Sequence, residues 1–199
     1  MSRPTKVTSM SAPEGEYYTA ERWQNWLDRL DEEEVDLEDE DSARLRLNMQ
    51  DDAVIAVAKI VSAYEEDEID EETAVEELAD VNDVIRSEVE FDDEDTLMLV
   101  DAVQTALVCV FYAGESYILD GPAEGSVPGH IEAAMDAEAE EDLDTALDHC
   151  AAAGTLIIGG AEMDMEAMGD VEYGLVAEWI NGLDSLYEAM RDPEVVEEE

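Results

Sequence analysis

Apolar residues recur along this chain at three- and four-residue steps rather than in alternation, and that period predicts helices. The strongest run is residues 96–120, TLMLVDAVQTALVCVFYAGESYILD. Leu97, Val100, Val103, Leu107, Val110, Phe111, Gly114 and Ile118 follow helical spacing there, and Leu99, Ala106 and Ala113 widen the stripe. Residues 106–113 are all apolar or aromatic. A helix that is apolar around its circumference is expected in a core, wrapped by others. About 24 helical residues would extend roughly 36 Å at 1.5 Å per residue. Asp101, Gln104 and Glu115 interrupt the run, short of the ~18–20 apolar residues of a membrane span, so no membrane is expected as a partner.

Weaker stripes place the other elements. Trp23, Trp26, Leu27 and Leu30 predict a helix over residues 20–33, capped by the Thr19 hydroxyl, with Tyr18 placed to fold back as a staple. Helices follow over residues 41–65 and 71–89, with Asp70 capping the latter. Short links between these and the central helix favour antiparallel neighbours. Residues 121–129, GPAEGSVPG, break the pattern and mark either a subdomain boundary or a reversal. A short helix over residues 130–136, one over 140–158 and a last over 171–191 complete the chain. Residues 155–158, TLII, fit a strand equally well, and Met163, Met165 and Met168 fall in a loop. The fold class is therefore all-α: a single-domain antiparallel helical bundle of six or seven helices over residues 19–191. A disordered N-terminal tail (residues 1–18) and an acidic tail (residues 192–199) flank it.

Charge changes the picture. The chain carries 57 acids against 9 bases, a net charge of −48, with 46% hydrophobic residues. Lys6 and Lys59 are its only lysines, and residues 87–190 hold no Lys or Arg. High net charge opposes collapse, yet the periodic apolar stripes argue for a folded core. In about 1 M salt the Debye length is ~3 Å, and surface anions barely repel. The composition thus predicts a halophilic protein, with weakly bound K+ and Na+ as counterions; a polyanion that mimics DNA is the other use of such charge. The first twenty residues lack an apolar h-region, so a cytoplasmic location is expected.

The same residues exclude much chemistry. There is no GxSxG, P-loop or GxGxxG. Phosphate affinity comes from cations, so direct nucleic-acid binding is not expected. Cys109 and Cys150 lie on apolar faces and read as buried free thiols. His130 lies in the Gly-Pro loop, and His149 falls off its helix's apolar face, where exposure is expected. No CxxC or HxxxH spacing supports zinc, and the Glu-x-x-His signature of di-iron bundles is missing. The acidic runs lack the EF-hand order. No catalytic, cofactor-binding or metal residue is therefore assigned. Arg22, Arg29, Arg44 and Arg46 cluster and are expected to bridge the first two helices and the acidic link.

The segments TAERWQNWLDRL, SARLRLNMQDDAVIAVAKIV, ALVCVFYAGE and EYGLVAEWINGLDSL resemble an uncharacterised archaeal family, a domain of unknown function common in haloarchaea. The resemblance covers residues 17–196. It implies a haloarchaeal source and brings no activity, substrate or catalytic residue. The expected function is non-enzymatic, through contact with a protein partner or a second copy as a homodimer. Trp23, Trp26, Trp179 and Tyr187 are the candidate anchors. The alternatives are an acidic decoy or chaperone for basic proteins, and an enzyme using carboxylates and a bound metal.

Overall fold

Most helices of this protein begin where a short polar side chain takes a free backbone amide. The structure, a computed structural model, describes residues 17–164, 171 and 173–191. Among them are seven helices and no strand: α1 (Ala20–Glu32), α2 (Glu40–Glu65), α3 (Glu71–Ile85), α4 (Glu94–Asp120), α5 (Val127–Ala139), α6 (Leu143–Ile158) and α7 (Leu175–Arg191). Thr19, Asp39, Asp70, Asp93, Ser126 and Asp142 cap the first six through their side-chain oxygens. For α7 the acceptor comes from another helix. Glu138 of α5 takes the amides of Leu175 at 2.6 Å and Val176 at 3.3 Å, which suits the positive end of a helix dipole.

Several boundaries differ from the periodic pattern, two of them for a visible local reason. α3 ends at Ile85, because Gln104 of α4 donates to the carbonyls of Ile85 at 2.7 Å and Ser87 at 3.3 Å. The end of one helix is thus closed by an amide from the next. α5 is longer than expected and starts at Val127: Ser126 caps it, and Pro128 occupies its first turn, where a missing N–H costs nothing. The TLII segment is the last turn of α6, not a strand.

α4 is the pillar. It packs against α2, α3, α6 and α7, and Val100, Val103, Leu107, Val110 and Ala113 on it are fully buried. Two neighbours come close because they present glycine. A Cβ on Gly154 of α6 would collide with the Cβ of Ala113, and one on Gly182 of α7 would collide with the carbonyl of Ala106. One hydrophobic core joins residues on both sides of the 121–129 break, so this loop does not divide the core. The Ala123 amide donates to the Thr155 hydroxyl at 2.9 Å and holds the loop to α6. Tyr18, expected in the tail, is buried at 4% exposure. Residues 1–16 of that tail, the acidic tail, and Met165 and Met168 lie outside the described residues.

The clustered arginines all pair with acids. Arg22 bonds Asp52, Arg29 bonds Glu33 and Arg44 bonds Asp41, while Arg46 reaches Glu178 of α7 at 2.5 Å. Only the Arg22 bridge joins α1 to α2. The Arg46 pair instead ties α2 to the last helix.

The glycine contacts give a direct test. In an exposed helix Gly→Ala normally stabilises, by roughly 0.5–1 kcal/mol. At Gly182 the new methyl meets a backbone carbonyl that cannot rotate away, so Gly182→Ala is expected to destabilise the fold by about 1–3 kcal/mol. Denaturant unfolding in molar KCl measures this, and a variant as stable as wild type would contradict the close approach of α7 to α4.

Candidate interaction surface

An α4 buried on four sides still leaves one arc uncovered. Met98 (59% exposed), Tyr112 (48%) and Leu119 (50%) lie on that arc. Positions 98, 105, 112 and 119 are seven residues apart, and a straight α-helix drifts only ~20° per heptad, so they form one row. Thr105 stands in the row, and half-buried Val108 stands beside it. From Met98 to Leu119 the row runs roughly 32 Å. Single exposed apolar residues are ordinary on a protein surface; a row along one helix marks a contact face. The charged residues along the row are Asp101 and Glu115, both exposed.

At its Met98 end the arc opens into a groove of about 960 Å³ between α4 and the α3–α4 link. Leu97, Met98 and Val89 give it apolar surface, and Glu88, Glu90 and Asp101 stand around it. Arg86 supplies its cation. The Gln104 bond that closes α3 holds one wall in place.

By length and composition α4 is also apolar enough to cross a membrane, despite the three polar interruptions. Within its most apolar window, however, 56% is buried among the other helices, as the core helix of a bundle requires.

The tryptophan anchors expected from the sequence point elsewhere. Trp23 and Trp179 are buried, at 2% and 5% exposure, and are core residues here, not surface anchors. Trp26 is half-buried and donates its indole N–H to Asp52 at 2.8 Å. Asp52 also accepts from Arg22 Nε at 2.8 Å, so this carboxylate docks α1 onto α2. Burial first, and then the nearby Asp52, push the Tyr18 hydroxyl well above its ordinary range. Tyr187 is half-buried, with the Arg191 guanidinium 4.9 Å from its ring centre. Large aromatic side chains gain most from burial, and these four are largely used inside the fold.

Cys109 and Cys150 are free and buried. Burial, with the neighbouring Cys150 thiol second, raises the Cys109 pKa, which favours the neutral thiol. Among the described residues no group of three or more His, Cys, Asp or Glu gathers as metal ligands. The histidines depart from expectation: His149 is half-buried, not exposed, and it meets His130.

Tyr117, near the C-terminal end of α4, donates its hydroxyl to Glu65 at 2.5 Å. Burial, then this bond, push its pKa up to about 12 from the ordinary 10.0. The neutral phenol is thus favoured in the fold. Its contribution to stability is fully present below pH 10 and is lost as pH rises through about 12. Tyr117→Phe is expected to flatten the alkaline limb of the stability profile, measured by unfolding at stepped pH; an unchanged limb would contradict the assignment.

No curated protein and no solved structure matches this chain. A family model does, over residues 16–199; it describes uncharacterised proteins conserved in archaea (DUF2150).

Proposed function

The chain belongs to that archaeal family, and we propose that it is a non-enzymatic, halophilic cytoplasmic protein that works through protein contacts, pairing with a second copy across the open arc of α4. The row Met98–Thr105–Tyr112–Leu119 carries this reading, because it is self-complementary. A two-fold, antiparallel pairing about the point between Val108 and Cys109 sets Met98 against Leu119 of the partner subunit and Thr105 against Tyr112 of the partner subunit. The same register brings Asp101 within one residue, about 1.5 Å along the axis, of Glu115 of the partner subunit. Apolar residues meet along the row, and the Asp101–Glu115 pairs between them repel until salt screens them. Isologous contacts of this kind are the commonest way soluble chains pair.

The charge supports brine as the working solvent. All seven helices expose acids: Glu21, Asp51, Glu72, Asp101, Glu132, Asp148 and Glu188 are examples, one from each in order. Anions spread over every helix fit screening by salt better than a single groove shaped for a basic protein. In dilute buffer the two acidic rims would repel across the pair. At about 1 M salt the screening length is ~3 Å, and the apolar row can close.

That gives the occupant a signature. Binding of a basic partner weakens as salt rises, whereas pairing of two acidic copies strengthens. Light scattering after size exclusion is expected to show a dimer in molar KCl. Dilute KCl should yield monomer that circular dichroism still shows to be helical, and Tyr112→Asp should be monomeric even in molar KCl. Wild-type monomer at high protein concentration in molar KCl, or a dimer indifferent to Tyr112→Asp, would overturn the proposal.

A further inference from the structure

Two imidazoles from different helices meet in the α5–α6 hairpin. His130 stands in the first turn of α5 and His149 near the middle of α6. Their Nδ1 atoms are 3.2 Å apart, the rings are tilted by 41°, and their centroids are 5.5 Å apart. Both residues are half-buried. Nε2 of His130 lies 2.8 Å from the carbonyl oxygen of Glu124. A carbonyl only accepts, so His130 carries its proton on Nε2 and presents a lone pair at Nδ1. Gly125 makes room for this ring: its φ is +110, and a Cβ there would stand 3.2 Å from His130 Nε2.

With nothing bound, His149 donates its Nδ1 proton to that lone pair. Its own Nε2 is the other place for the proton. Once the proton sits there, both Nδ1 atoms present lone pairs to the space between the rings. At metal–nitrogen bonds of about 2.0–2.1 Å, nitrogens 3.2 Å apart close on an ion with an N–metal–N angle of about 100°. That angle lies between square-planar and tetrahedral coordination. The bond from His130 Nε2 to a backbone carbonyl is also the arrangement that fixes the tautomer and ring orientation of metal-bound histidines.

We propose that His130 and His149 form a two-nitrogen chelate for a divalent transition-metal ion of the copper–nickel class, with water in the remaining positions. The class follows from the donors. Imidazole nitrogens with oxygen co-ligands suit Cu(II) and Ni(II), and Cu(II) heads the affinity order for such sites. A structural zinc site would need four protein ligands, and no third His, Cys, Asp or Glu joins this pair among the described residues. The ion takes the place of the proton shared between the rings and leaves open positions for exchange.

The test uses tag-free, full-length protein in molar KCl with Cu(II) as the probe. Electron paramagnetic resonance of the wild-type complex is expected to show nitrogen coupling from two imidazoles. Calorimetric titration should give one site per chain above the weak binding of the carboxylates. His130→Gln and His149→Gln should each weaken that site by about tenfold or more, since even loss of an outer-shell partner costs 10–100-fold. An oxygen-only spectrum of wild type, or variants that remain helical and bind Cu(II) as wild type does, would overturn the proposal. The spectrum needs no variant to fold.

Discussion

The close approach of α6 and α7 to α4 is the contact on which this architecture rests. Gly154 lies against Ala113, and Gly182 against the backbone at Ala106. Those small residues let two helices sit directly on the pillar, and α2 and α3 close its other sides. Dispersion and apolar burial both depend on such proximity, because a gap of even 0.5–1 Å loses much of each contact. The buried faces of α4, from Thr96 to Ile118, are therefore shared property of the whole bundle. The uncovered arc follows from the same arrangement. Four helices cannot surround a fifth completely at this spacing, and the remaining strip shows Met98, Tyr112 and Leu119.

Electrostatics acts on this core from outside. Nearly every charge is negative and exposed, and the main exceptions serve as fasteners: Arg22 holds α1 to α2, and Arg46 holds α2 to α7. Both pairs are part-buried, where loss of hydration offsets much of the attraction, so they orient helices more than they stabilise them. Capping aspartates do similar local work. Asp70 and Asp93 have pKa values held below the usual carboxylate range by bonds from Thr73 and Thr96. Acids that close helix starts thus serve the fold, while most others face solvent.

The helices were legible in the sequence because their apolar period is strong. What closes them was less so. The end of α3 depends on Gln104, an amide from the following helix, and the start of α7 on Glu138 from two helices earlier. Pro128 and Gly129 read as breakers, yet they lie in the first turn of α5 behind the Ser126 cap. The seven-residue spacing of Met98, Tyr112 and Leu119 is written in the sequence. On a helix apolar all round, however, nothing local says which arc other helices will cover. Gly154 and Gly182 decide that, and their effect runs through space. Trp23 and Trp179 show the converse: their size alone suits a core as well as an interface. The His130–His149 contact joins positions 19 residues apart, a distance no local ligand spacing encodes.

Native-state hydrogen exchange in molar KCl tests the pillar role of α4 most directly. If four helices bury this one, its amides between Val100 and Gly114 should be the slowest in the chain and exchange only through global unfolding. Their protection should then fall in step with denaturant-induced loss of stability. Amides of α4 that exchange faster than those of α2 or α6, or through local opening insensitive to denaturant, would contradict the account.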